Sequence, residues 1–263
     1  RRLRHPPISY QPSDTTVSRR KALMELLSRS PEGASSTLSN ISRRGLQKVW
    51  DEVFAYNNTK RLTQYSNWIE DCENLSNIEL EKIKGHAASL EYKPLISILM
   101  PTYNTNPNFL SKAIESVIAQ IYTNWELCIA DDASTKSSTR DILNQYMARD
   151  ERIKVVYRPT NGHISLASNS ALELVTGEFT ALMDHDDLIP VHALYMVAVE
   201  LNAHPDADLI YSDEDKINEQ DKRYEPYFKC DWNFELFCSM NMISHLGIYR
   251  TSLLREVGGF RKG

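Results

Sequence analysis

Apolar residues follow two different periods along this chain. From about residue 41 to 90 the spacing is helical: Leu46, Val49, Trp50, Val53 and Phe54 share one face, and Leu62, Tyr65, Trp68, Ile69 and Cys72 share another, as amphipathic helices require. A third helix is predicted to open at Ser76, whose hydroxyl can cap it while Glu79 reaches back to the cap N–H. At Pro94 the pattern changes to short apolar runs alternating with helical stretches, the signature of a mostly parallel α/β sheet flanked by helices. The runs predict strands at Leu95–Met100, Trp125–Ala130, Lys154–Tyr157, Phe179–Met183 and Asp208–Tyr211. Between them, helices are predicted at Pro107–Gln120, Ser138–Arg149, Ser165–Val175 and Pro190–Asn202. The organisation expected is a loosely ordered linker over 1–40, rich in Ser, Pro, Thr and Arg, a helical segment over 41–92, and an α/β domain over 93–263.

Composition narrows the function classes. A net charge of -5 over 263 residues, with a pI near 5.8, speaks against a nucleic-acid binder, which would carry a basic face. Cys72, Cys128, Cys230 and Cys238 show neither metal spacing nor disulfide density, which predicts a reducing, cytoplasmic setting. No run of about 18 apolar residues is present to cross a bilayer. Arg19-Arg20-Lys21 could touch acidic headgroups at the inner face of a membrane, although an ordinary solvated cluster accounts for it better. The missing initiator Met and the stop at Gly263 predict a piece of a longer, multidomain chain.

In an open α/β sheet, ligands bind beyond the carboxyl ends of the strands. That rule gathers Thr102-Tyr103-Asn104, Asp131-Asp132 and Asp184-His185-Asp186-Asp187 on one rim. Adjacent carboxylates repel, and they persist together mainly where a cation or hydrogen-bond donors neutralise them. Hard oxygen ligands favour Mg²⁺ or Mn²⁺, ions that also bind substrate phosphates. The plainer account of the tetrad is an exposed acidic turn capping a helix from Pro190. Asp131 and Asp132 could likewise be turn caps, and Tyr103 a packing aromatic. The seven His show no metal spacing, and His185 reads as an orienting or incidental residue rather than a ligand. Dinucleotide, P-loop, zincin and serine-hydrolase signatures are absent from the sequence.

The stretch Ile96-Ser97-Ile98-Leu99-Met100-Pro101-Thr102-Tyr103-Asn104, followed by Trp125 to Ser134 with Asp131-Asp132, resembles the opening of family-2 glycosyltransferases of the GT-A fold. Asn161-Gly162, Ala167-Ser168-Asn169, Thr176-Gly177-Glu178 and the tetrad follow in the family's order. Tyr211-Ser212-Asp213-Glu214-Asp215-Lys216 and Gly258-Gly259-Phe260-Arg261 are similar to the branch that builds bacterial surface polysaccharides, rhamnosyltransferases included. The resemblance covers roughly residues 94 to 263.

That resemblance implies a Rossmann-like nucleotide-diphospho-sugar transferase. Its donor would be a nucleoside-diphosphate sugar and its acceptor a glycan or lipid-linked glycan, with Mn²⁺ or Mg²⁺ as cofactor. Pro101, Thr102 and Tyr103 would hold the nucleobase, Asp132 would accept hydrogen bonds from it, and Asn161 would lie nearby. Asp184 would face the ribose or sugar, Asp186 the metal, and Asp187 would support them. Asp184, Asp186 and Asp187 are thus the expected catalytic set, with Asp186 and Asp184 as metal ligands. The general base of an inverting displacement is expected beyond Gly263, with Asp213 or Asp215 as a substitute. A sugar nucleotidyltransferase, or a module that binds nucleotide sugar without turnover, are the alternative functions.

Overall fold

The computed structural model describes residues 64–70, 73 and 75–261. The linker predicted over 1–40, the Leu46 to Phe54 face, Leu62 and Cys72 lie outside the described residues. Two units are distinguished: one takes 76–214 and 227–261, the other the described part of 64–75 together with 215–226.

In the larger unit, helix α1 (Asn77–Ser89) begins as predicted. The Ser76 hydroxyl accepts from Glu79 N, and Ser76 N donates to the Glu79 carboxylate at 2.8 Å. There follow β1 (Ile96–Thr102), α2 (Pro107–Ile118), β2 (Trp125–Asp131), α3 (Ser137–Arg149), β3 (Ile153–Tyr157), α4 (His163–Leu172), β4 (Phe179–Leu182), α5 (Ala193–Ala203) and β5 (Leu209–Tyr211). A second, two-stranded sheet, all but its end residues Glu214 and Tyr227 within the smaller unit, pairs β6 (Glu214–Ile217) with β7 (Arg223–Tyr227). The short helix α6 (Phe234–Ser239), strand β8 (Gly247–Arg250) and the short helix α7 (Thr251–Glu256) complete the order.

The main sheet runs β3-β2-β1-β4-β8-β5. Strand β1 pairs in parallel with β2 and β4, and β2 with β3, whereas β8 lies antiparallel between β4 and β5. The five predicted strands are all present. Sequence reading missed β8, a four-residue run with no polar alternation to mark it, and with it the mixed character of that edge.

All residues of β1 and β2 are buried, which explains why they read as unbroken apolar runs: a parallel sheet is covered on both faces. Alternation then divides them. Ile96, Ile98, Met100, Trp125, Leu127 and Ile129 join one core cluster with Leu110, Ala113, Ile114 and Val117 of α2 and Leu194, Val197, Ala198 and Leu201 of α5, each at i, i+3, i+4, i+7 spacing. Leu99, Cys128 and Ala130 face the other way, onto Ala167, Ala171 and Leu172 of α4 and Leu254 of α7. No helix among the described residues is long and apolar enough to cross a membrane.

In the smaller unit, Arg223 bridges Asp215, at 2.5 Å, and Glu73, and the Tyr65 hydroxyl donates to Asp215.

One buried carboxylate ties the start of the sheet together. Glu126 accepts from Ser97 Oγ (2.6 Å), Lys154 Nζ (2.6 Å), Thr176 N (2.6 Å) and Thr176 Oγ1 (2.8 Å). Gly177 N donates to Ser97 Oγ at 2.9 Å, and a Cβ on Gly177 would lie 2.4 Å from Leu95 O. The Thr176-Gly177 pair thus serves close backbone approach. Burial raises the Glu126 pKa, but the bonds from Lys154, Ser97 and Thr176 outweigh it and bring it to about 2 from an ordinary 4.5. A depressed folded-state pKa stabilises fully above the unfolded value and is lost as pH falls toward the folded one. Glu126→Ala should therefore cost about 3 kcal/mol in urea unfolding at pH 7. The difference from the parent should shrink between pH 4.5 and about 2. An unchanged urea midpoint would show the network to be incidental.

Candidate functional site

The chain leaves β1 for β2 and β3 on one side, then returns to place β4 on the other side of β1. The loops after β1 and β4 consequently diverge at this switch point, the place where open α/β sheets bind ligands. His185 crosses it, with Nδ1 donating to the carbonyl of Pro101 at 3.2 Å.

Along the β1 side, Pro101 and Thr102 are buried at the strand end and Tyr103 is 46% exposed. The Thr102 hydroxyl is engaged inward with Thr105 Oγ1 at 2.7 Å. Asn104, at φ 49°, stitches this loop to the next: its N donates to Ser134 Oγ (2.8 Å), and its side-chain oxygen accepts from Thr135 N (2.9 Å) and Lys136 N (3.1 Å). Asn is one of the few residues that take a left-handed backbone easily.

Asp131 and Asp132 are both buried. Asp132 accepts from Arg158 Nε at 2.7 Å and from Gly162 N at 2.9 and 3.0 Å, while Asn161 Nδ2 donates to Asp132 O at 3.2 Å. Arg158 continues to Leu166 O and Ser170 Oγ. A Cβ on Gly162 would lie 2.6 Å from the Arg158 guanidinium, so glycine is what lets this backbone approach. Asp131 Oδ2 accepts from Ser134 N at 3.3 Å, and its Oδ1 is buried with no hydrogen-bond partner.

At the end of β4, Asp184, Asp187 and His245 bring potential ligand atoms within 4.8 Å of one another. His245 Nδ1 lies 3.1 Å from Asp187 Oδ2 and its Nε2 3.6 Å from Asp184 Oδ2. Asp186 is exposed and outside this cluster. Burial holds the Asp187 carboxyl above the usual carboxylate range, and repulsion from Asp184 and Asp186 adds to it while His245 opposes. Asp187 Oδ2 is buried and makes no hydrogen bond. The helix that follows starts at Ala193, with His192 at its cap, so the acidic turn does not cap it.

His245 escaped sequence reading because the spacing that matters is not local. Strand β8 runs antiparallel, with Gly247 opposite Leu182. Its amino end therefore lies at the carboxyl ends of the parallel strands. Asp184, two residues beyond Leu182, and His245, two before Gly247, meet for that reason. Recognising Gly247–Arg250 as a strand was the available signal.

The segment Asp213-Glu214-Asp215, whose Asp213 and Asp215 were the substitutes for the general base, has internal partners. Asp213 Oδ1 accepts from Lys229 N at 2.7 Å, and Glu214 from Lys229 Nζ at 2.8 Å. Asp215 is held by Arg223 and Tyr65.

With this geometry in view, the comparisons are decisive. The profile described as Glycosyl transferase family 2 matches residues 97–258. The chain belongs to that family. It is 52% identical over 174 residues to the uncharacterized protein y4gI of Sinorhizobium fredii, covering 66% of this chain and 19% of the relative. It is 35% identical over 176 residues to the O-antigen biosynthesis protein RfbC of Myxococcus xanthus, covering 67% of this chain and 14% of the relative. The chain thus spans a fifth or less of the length of these relatives. Among solved structures, TarS of S. aureus in complex with UDP-GlcNAc superposes with a TM-score of 0.54 at 25% identity, over 64% of this chain and 48% of that one. The GT-A fold expected from the resemblance is the fold found.

Asp132 neutralises the largely buried Arg158. Asp132→Ala should therefore lower stability by about 3 kcal/mol before any nucleotide is added, seen as a drop in melting temperature. An unchanged melting temperature would return Asp132 to the open rim.

Proposed function

We propose that this family-2 domain binds a nucleoside-diphosphate sugar in the crevice between the β1 and β4 loops. The sugar then passes, with inversion, to a hydroxyl of a growing surface glycan. The observation that carries this reading is the convergence of Asp184, Asp187 and His245 at the switch point, where the buried Asp187 Oδ2 makes no aligned hydrogen bond and has the His245 imidazole 3.1 Å away. Such an oxygen needs a cation or donor. Two carboxylates and an imidazole suit Mn²⁺, and Mg²⁺ through the oxygens. The TarS complex with UDP-GlcNAc supports the choice of donor class.

In this reading Asp184, Asp187 and His245 hold the divalent cation, and Asp186 lends negative charge from its exposed position beside them. The cation would offset charge on the diphosphate as it departs. Tyr103, exposed on the opposite lip, offers a flat ring for the nucleobase, with Pro101 and Thr102 setting the backbone beneath it. Asp132 fixes Asn161 and Gly162, and so forms the floor against which the base is read. The acceptor oxygen attacks the anomeric carbon, the bond to the diphosphate breaks, and a carboxylate takes the hydroxyl proton. The partners found for Asp213 and Asp215 argue against either as that base.

UDP should raise the melting temperature of the chain in the presence of Mn²⁺ and leave it unchanged in EDTA. The stabilisation expected is about 2.7 kcal/mol at a hundredfold excess over Kd. His245→Ala and Asp187→Asn should each abolish the difference. Equal stabilisation by UDP in EDTA would remove the cation from the account.

A further inference from the structure

Lys229 is the one lysine among the described residues whose side chain is fully buried. Its ammonium has three N–H groups, and each has an acceptor: Glu214 Oε2 at 2.8 Å, Ile243 O at 2.7 Å and His245 O at 2.8 Å. Glu214 Oε2 in turn accepts from His245 N at 3.0 Å. The pair thus grips His245 at both its own N–H and its own carbonyl. The neighbouring residues continue the hold, since Leu246 N donates to Ser212 Oγ at 3.1 Å and Ser212 N to Leu246 O at 3.2 Å. Asp213 completes it by accepting from Lys229 N.

Packing alone does not account for an ammonium here. A buried ion pair is generally no more stabilising than apolar residues of the same volume, and an apolar side chain could not bind two carbonyls. What the pair supplies is a fixed backbone at the residue whose imidazole faces Asp184 and Asp187. Groups that orient a metal-binding imidazole have large effects on affinity because a ligand free to wander must be ordered on binding.

We propose that Lys229 and Glu214 are positioning residues that hold the His245 backbone so that its imidazole completes the cation site with Asp184 and Asp187. The proposal rests on the cation reading given above, and the test separates the two. Mn²⁺ is titrated into the 263-residue chain with UDP present, and free Mn²⁺ is read from its electron paramagnetic resonance signal. Lys229→Met should weaken Mn²⁺ binding by about 10–100-fold, the range for groups behind a metal ligand. His245→Ala should weaken it at least as much. The double variant should bind no more weakly than His245→Ala alone, since coupled residues are non-additive. A general loss of stability would not produce that pattern. Should Lys229→Met fail to fold, Glu214→Ala, at a less buried position, takes its place in the same cycle.

Wild-type Mn²⁺ affinity in Lys229→Met, with His245→Ala weakened, would overturn the positioning role and leave the cation site standing. Additive losses in the double variant would also overturn it, by showing that Lys229 acts independently of His245. An unaltered affinity in His245→Ala, or no Mn²⁺ binding by the parent, would bring down the cation reading and this proposal together.

Discussion

Strand β1 is hydrogen-bonded in parallel along both edges, to β2 and to β4, and the rim follows from this double pairing. A strand with parallel neighbours on both sides must send its crossovers in two directions. The loops beyond β1 and β4 are thereby forced apart, and whatever polar residues follow the two strands face each other across a gap. Seven buried residues in β1 and seven in β2 fix the register, so the rim is set by apolar packing well below it.

Polar interactions then finish what the packing begins, each at a place where chain segments must meet without sliding. Glu126 joins the start of β1 to the turn before β4. Asp132 joins the end of β2 to the start of α4 through Arg158 and Gly162. Lys229 and Glu214 join the segment before β8 to the start of β6. These carboxylates are satisfied by several donors apiece, the condition under which burying charge is tolerable. Asp187 differs, its buried Oδ2 having only the His245 imidazole, at 3.1 Å, against it, and it is the residue where a cation is proposed.

Most of the parallel sheet was legible in the sequence because its signal is local: unbroken apolar runs for strands, and i, i+3, i+4, i+7 spacing for α2 and α5. The cap at Ser76 was legible for the same reason. Strand β8 was not, being four residues long and without alternation, and losing it hid His245. The roles of Asp132 and Glu214 were hidden for a different reason. A carboxylate in a sequence looks the same whether it faces solvent or a buried cation, and Arg158 and Lys229 become their partners only through tertiary contact. The resemblance to family-2 glycosyltransferases identified the rim and the acidic turn, but the cluster that forms there takes Asp187 and His245 beside Asp184 and leaves Asp186 exposed.

In the function proposed, the end of β4 and the segment before β8 together make a divalent-cation site for a nucleoside diphosphate. Anomalous diffraction at the manganese edge, from crystals of the chain grown with UDP and Mn²⁺, addresses it directly. The prediction is a single strong anomalous peak bounded by Asp184, Asp187 and His245, with the UDP phosphates against it. A peak held by Asp186 without His245, or UDP bound in the crevice with no peak at all, would contradict it.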